Sequence, residues 1–164
     1  MSGSNNRRAS GNGKPADDVE PISRALEDLA NEMVDQGLES LGQTGRFTTV
    51  LAMEDASGNR AMLSFDDDMV DECVREARDT LRRAAHKSGR VEGLSGRPVR
   101  YAIAYDGAIR EEEGQPYKNA LIVEYGEQGL SSAYSAYLLY KKAGHPKDFV
   151  WTDPAAAGQM ELLV

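Results

Sequence analysis

The chain has few of the residues from which disulfide frameworks and metal centres are built. Its 164 residues include one cysteine, Cys73, and two histidines, His86 and His145. A single cysteine excludes an internal disulfide and fits a reducing compartment. These three residues also lack the ligand spacing of a zinc site. We therefore expect no metal and no cofactor, and we interpret Cys73 as a small apolar residue of a helix face.

Long apolar runs and an excess of positive charge are also missing. The longest aliphatic run, residues 120–123, is far too short to cross a bilayer. Residues 1–8 lack the apolar core of a signal peptide. The formal net charge of −8 repels nucleic-acid phosphates and anionic lipids. We therefore expect a cytoplasmic protein that binds neither nucleic acid nor membranes.

Residues 1–17 contain no large apolar residue after Met1. They consist largely of Ser, Gly, Asn and Pro, with three basic residues. Such a segment cannot bury enough surface to offset the entropy lost on ordering. We predict a disordered tail over residues 1–17 and one domain over residues 18–164, which is long enough to bury a core without disulfides or metals.

Apolar residues at spacings of three and four predict two helices. Asp18 or Glu20 is the expected cap of the first helix, and Pro21 is expected in its first turn. Gly42 and Gly45 flank its expected end.

The second helix has the clearest pattern in the chain. Asp66–Asp68 crowd its start, while Arg82, Arg83 and Lys87 lie near its end, an order of charges that complements the helix dipole. Ser88–Gly89 is the expected stop. Its apolar face comprises Met69, Val70, Cys73, Val74, Ala77, Leu81, Ala84 and Ala85.

Strands are predicted wherever the apolar period changes to two. Phe47–Met53 and Ala61–Phe65 form a predicted hairpin, because the loop between them is rich in Asp and Gly. Alternation predicts two further strands, near residues 99–105 and 121–125, and Phe149–Trp151 is a short last strand. Ala133–Lys141 fits a helix or a strand by spacing, and the glycine-containing turn before it favours a strand.

The element order α-β-β-α-β-β-β-β predicts an α+β domain. We expect an antiparallel sheet of five or six strands with both amphipathic helices packed on one face. Whether the C-terminal residues 162–164 dock on this body is left open by the sequence.

Acidic residues are the first candidates for a chemical site. Adjacent carboxylates such as Asp66–Asp68 can bind Mg²⁺ or Ca²⁺, but consecutive residues at a helix start point in different directions, and helix capping accounts for them. Glu111–Glu113 is typical of a solvated loop, with contact to a basic partner as the alternative. Glu124 and Asp106 are the acids that a pocket would use as a base. No catalytic, cofactor or metal residue is predicted.

Aromatic residues are concentrated in the second half of the chain. All seven tyrosines lie between Tyr101 and Tyr140, and Trp151 follows. Cross-strand aromatic pairs stabilise sheets. The alternative interpretation is an aromatic face that binds a protein or a small molecule.

The segments Val99–Tyr105, Tyr117–Gly126 and Tyr137–Lys142 resemble a set of small bacterial proteins without an assigned activity. The shared features are a strand, a polar loop, an apolar strand ending in Val-Glu before a charged turn, and an aromatic-rich strand. The resemblance covers roughly the C-terminal third and implies no activity and no site residues.

These observations favour a non-catalytic protein-interaction or scaffold module that presents its sheet edge or aromatic face. A protein partner and self-association are both compatible with them. The alternative is a small-ligand-binding protein or an enzyme with a pocket between the sheet and the helices, so whether the chain is an enzyme stays open.

Overall fold

Two helices and seven strands follow one another along the chain in the computed structural model, which describes residues 20–86 and 90–164. The predicted tail of residues 1–17 and the predicted helix stop at Ser88–Gly89 lie outside the described residues. The elements are α1 Arg24–Thr44, β1 Thr49–Asp55, β2 Arg60–Phe65, α2 Val70–His86, β3 Pro98–Ile109, β4 Lys118–Glu127, β5 Ala133–Lys141, β6 Val150–Trp151 and β7 Ala155–Met160.

All strand pairs are antiparallel, in the order β2-β1-β3-β4-β5. The outer side of β5 pairs with β6 at one end and with β7 at the other. The predicted α+β class, the antiparallel sheet and the element order are confirmed, and Ala133–Lys141 is a strand. β7 adds one strand to the expected order. Its Ala-Ala-Ala-Gly composition has little strand propensity of its own, which is why the sequence did not predict this strand.

The helices pack on opposite faces of the sheet, and the prediction that they share one face is wrong in this respect. Leu51 and Met53 pack with α2, whereas Val50 and Ala52, which alternate with them along β1, pack with α1. Successive side chains of a strand point to opposite faces, so every residue of β1 is buried. An apolar helix face shows that a helix packs, but not which side of the sheet it covers. We call the two sides the α1 face and the α2 face.

The start of α1 differs from the sequence expectation. Ser23 is the N-cap, and its hydroxyl accepts a hydrogen bond from the Leu26 N–H at 3.1 Å. The Glu20 carboxylate instead accepts hydrogen bonds from the Ser131 N–H at 2.8 Å and the Tyr134 hydroxyl at 2.9 Å. Glu20 thus ties the chain before α1 to the turn between β4 and β5. The predicted end is confirmed, with Gly45 in the left-handed conformation.

The C-terminal residues dock on the α2 face. Leu163 is buried, and its carbonyl oxygen lies 3.1 Å from Nε2 of His86. Gly126 provides room for Leu162, because a Cβ atom at position 126 would lie 2.7 Å from Cδ1 of Leu162. The end of the chain therefore covers part of the sheet that α2 leaves open.

Candidate functional site

Glu124 of β4 is the most deeply buried acid that the sequence offered as a base. Its side chain faces α2, where Nε of Arg78 donates a hydrogen bond to Oε1 at 3.0 Å and Nη2 of Arg78 donates to Oε2. The Tyr105 hydroxyl donates a second hydrogen bond to Oε2 at 2.7 Å. Burial, together with the Glu124 charge, raises the pKa of Tyr105. The arrangement is that of a satisfied internal ion pair.

Asp106 of β3 lies on the other face of the sheet. Its Oδ1 accepts a hydrogen bond from the Tyr140 hydroxyl at 2.6 Å. Burial raises the pKa of Asp106, and the hydrogen bond from Tyr140 opposes that rise. Glu124 and Asp106 therefore do not meet in one pocket, although both belong to central strands of the sheet.

Asp55 joins the β1–β2 turn to the loop that precedes β3. Oδ1 accepts hydrogen bonds from the backbone N–H groups of Ser57 and Asn59 at 3.0 and 2.9 Å. Oδ2 accepts from the Ser95 N–H at 2.7 Å and the Ser95 hydroxyl at 3.0 Å. By sequence, Asp55 is one of the residues of the Asp- and Gly-rich loop of the predicted hairpin. Its donors show that it organises two loops and has no lone pair left for chemistry.

A row of alternating charges crosses four strands near the start of α1. Its members, successive neighbours across the sheet, are Arg60, Glu54, Arg100 and Glu127. Glu54 accepts hydrogen bonds from Nη2 of Arg60 at 2.7 Å and from Nη1 of Arg100 at 3.1 Å. Glu127 accepts from the Ser23 hydroxyl at 2.7 Å, so the row ends at the cap of α1. Opposite charges on neighbouring strands stabilise a sheet.

The tyrosines do not form one aromatic face. Tyr101, Tyr105 and Tyr137 project from the α2 face, whereas Tyr125, Tyr134 and Tyr140 project from the α1 face. Tyr117 lies just before β4, exposed, with the Arg110 guanidinium 5.1 Å from its ring centroid. The alternation within each strand divides the aromatics between the two sides.

The remaining candidates from the sequence lie apart from one another. Cys73 is buried on α2, His86 contacts the C-terminal segment, and His145 lies in the turn before Phe149, whose N–H donates to the His145 carbonyl. Glu111 accepts a hydrogen bond from the Tyr137 hydroxyl at 2.8 Å. Within residues 20–86 and 90–164, no group of three or more His, Cys, Asp or Glu side chains converges as metal ligands would.

A solvent-open cleft of about 430 Å³ lies at the end of the sheet where β1 begins and β2 ends. Its rim includes the loop of residues 45–48, the exposed Asp66–Asp68 segment before α2, and Asp106 of β3. Its inner part is lined by Thr49, Phe65 and Cys73. The cleft is not enclosed between the sheet and a helix, where the cores are filled by apolar side chains on both faces.

The border of the sheet beyond β5 is formed by β6 and β7. Among the large apolar side chains of the described strands, the most exposed lie on this border. Val150 and Trp151 of β6 are 54% and 52% exposed. The Trp151 ring packs on the Phe149 ring at a centroid distance of 5.4 Å, and Phe149 packs on Tyr140 at 5.9 Å. We call residues 150–160, which contain β6 and β7, the β6–β7 edge.

Neither described helix is both long enough and apolar enough to span a membrane. Comparison of the chain with known protein families, with characterised proteins and with solved structures finds no match. The resemblance of the C-terminal third to small bacterial proteins therefore stays a prediction, and function has to be argued from the geometry.

Proposed function

We propose that the chain is a non-catalytic protein-interaction module that binds an extended segment of another protein along the β6–β7 edge. The observation that carries this proposal is Trp151, which is half exposed yet packed against the Phe149 ring, with the two rings tilted by 37°. An aromatic side chain held in place before binding loses little conformational entropy when a partner covers it. Tryptophan is also the residue type most enriched among binding hot spots.

The backbone of β7 supports strand addition. Its inner side pairs with β5, while no hydrogen bond from its outer side to other described residues is present. Residues 155–160 read Ala-Ala-Ala-Gly-Gln-Met, without the charged or proline residues that usually protect an edge strand. An extended segment can therefore pair with β7 through backbone hydrogen bonds.

The opposite border of the sheet, formed by β2, is less suited to strand addition. β2 begins with the charged Arg60, and the loop of residues 90–97 lies against its start, where a Cβ atom at Gly93 would lie 3.0 Å from the Arg60 carbonyl oxygen. Because this edge is charged and partly covered, we place the partner on the β6–β7 edge.

The disposition of the acids supports a binding role over a catalytic one. Glu124, Asp55 and Glu54 are each held by several donors. A general base needs a free lone pair within reach of substrate, whereas these three buried carboxylates are each engaged by at least three internal hydrogen bonds. The net charge of −8 opposes self-association, so the favoured partner is a different and more basic chain.

The test combines capture of a partner with two matched variants. The full chain is used as bait in an extract of its native cells, each retained protein is purified, and its affinity for the chain is measured. Trp151→Ser should raise Kd by about 30-fold, the weakening expected for a hot spot worth about 2 kcal/mol. Tyr117→Ser is the matched control: Tyr117 is an aromatic residue of similar exposure that lies before β4, away from the β6–β7 edge. Its replacement should leave Kd within about twofold.

Two results would contradict the proposal. The first is a partner whose affinity falls equally with Trp151→Ser and Tyr117→Ser, or falls with neither substitution. The second is a stable homodimer, seen by light scattering after size-exclusion chromatography, that dissociates in the Trp151→Ser variant, because the edge would then be occupied by a second copy of the chain.

A further inference from the structure

The cleft at the end of the sheet is lined by more acidic than basic residues. Four of its lining residues are acidic, and one, Arg46, is cationic. Helix capping was expected to account for Asp66–Asp68, but among hydrogen bonds between described residues only Asp67 accepts one from the backbone, from the Met69 N–H at 3.3 Å. Asp66 and Asp68 make no hydrogen bond or ion pair within the described residues. The carboxylates of Asp66 and Asp68 are therefore available to accept hydrogen bonds from a ligand.

The start of α2 opposes this charge only in part. A helix N-terminus is equivalent to about half a positive charge. Arg46 adds one more, so the carboxylates still outnumber the positive charges around the cleft. The field inside the cleft favours a cation.

Thr49 provides an observation that is independent of the rim. It is 2% exposed, yet its hydroxyl has no hydrogen-bond partner among the described residues and is not sealed from solvent. Because Thr49 lines the cleft, its hydroxyl is available there as an acceptor. Since no described residue occupies this hydroxyl, it is free to accept a hydrogen bond from an N–H donor of a ligand in place of water.

The shape of the cleft separates an organic cation from a metal ion. A metal requires converging ligands, and the described carboxylates do not converge on one point. The inner wall is largely apolar, with Phe65, Val70 and Cys73. A volume of about 430 Å³ lies within the range of small-molecule sites. An apolar wall beneath a dispersed acidic rim fits a cationic group on an aliphatic stem.

We propose that this cleft binds an alkylguanidinium or alkylammonium group, whose N–H groups donate to the Thr49 hydroxyl and to a carboxylate of the acidic rim formed by Asp66–Asp68. The aliphatic stem packs against Phe65 and Val70. This binding activity goes beyond the proposed interaction at the β6–β7 edge and uses none of that edge's residues. The cation is supplied either by a free diamine-like molecule or by a basic side chain of a peptide.

The probes are agmatine, its neutral analogue butylurea, and an arginine-containing tetrapeptide with blocked ends. Each is titrated into the full chain at low salt, by calorimetry and by amide chemical-shift mapping. Agmatine or the peptide should bind with shifts confined to residues 45–49, 65–73 and 106, and butylurea should not bind. The tighter of the two cations identifies the source, and raising the salt concentration should weaken both.

Two cleft variants and one control make the result specific. Thr49→Val removes the hydroxyl at constant shape, and Asp66→Asn with Asp68→Asn removes rim charge. Each should weaken cation binding by about tenfold, as expected for the loss of a charge-assisted hydrogen bond. The control, Asp35→Asn with Glu39→Gln, removes the same charge from the exposed side of α1 and should change Kd by less than about twofold.

The proposal is overturned if neither cation binds at millimolar concentration, if the shifts map elsewhere, or if the control weakens binding as much as the rim variants. If the cation does not bind but the protein partner still does, the cleft proposal fails and the proposed function stands. If the partner does not bind but the cation does, the proposed function fails and the cleft proposal stands.

Discussion

At the scale of single residues, the interior acids depend on their donors. Glu124 is 2% exposed and holds Arg78 and Tyr105, while the buried Asp55 accepts only neutral N–H and O–H groups. An ionised carboxylate inside a protein is strongly unfavourable unless such groups compensate its lost hydration. The two acids should therefore respond differently to mutation and to pH.

Replacing Arg78 with methionine should leave Glu124 with Tyr105 as its one side-chain donor among the described residues. Breaking a buried ion pair from one side typically costs about 3 kcal/mol, so the free energy of unfolding should fall by that amount. Urea denaturation at pH 7 measures the change. The double variant Arg78→Met with Glu124→Met removes both charges and should recover most of the loss. A loss below about 1 kcal/mol in the single variant would contradict this account.

Asp55 should make stability sensitive to acid. Burial by itself would raise the pKa of Asp55, but hydrogen bonds from Ser95 and Asn59 outweigh burial and lower that pKa. The unfolded chain therefore binds this proton more readily than the folded one. The stabilisation is fully present above the ordinary aspartate pKa of about 3.9 and is lost as the pH falls below it.

Urea denaturation between pH 7 and pH 3 tests this sign. Asp55→Asn should be less stable than the parent at pH 7 and should lose less stability on acidification. Asp148→Asn, at an exposed position, should keep the acid-dependent loss. Equal acid sensitivity in the Asp55→Asn variant and the parent would show that another group is responsible.

At the scale of elements, periodicity was sufficient for most of the fold. The three-and-four spacing located both helices, and the period of two located β3 and β4, whereas β5 was assigned from the glycine-containing turn before it. Three features depended on tertiary contacts that spacing does not encode. Ser23 caps α1 while Glu20 contacts the turn between β4 and β5, β7 pairs with the outer side of β5, and each helix covers a different face of the sheet.

The docked C-terminus is the element whose importance is easiest to measure. Leu163 packs in the core beside Leu81 and Tyr101. Leu163→Ala should lower the free energy of unfolding by about 2–3 kcal/mol through lost burial and a residual cavity. Glu161→Gln, at an exposed position in the same segment, should change it by less than about 0.5 kcal/mol. Equal effects of the two substitutions would show that the segment does not stay docked.

At the scale of the whole molecule, the sequence indicated what kind of surface would be proposed for binding, but not where on the fold that surface lies. It pointed to a sheet edge or an aromatic face, and Trp151 was among the aromatics noted. The tyrosines that dominated that argument divide between two faces and are mostly covered, whereas Val150 and Trp151 remain exposed beside a free strand edge. Exposure depends on how helices and termini cover the sheet, which no single segment of sequence reveals.

A photo-activated cross-linking residue at position 151 in the native cells tests the central claim most directly, with the same residue at position 117 as the control. The account predicts a covalent adduct with one specific protein from position 151 and none with that protein from position 117. No adduct from position 151, or the same adducts from both positions, would contradict a binding surface at the β6–β7 edge.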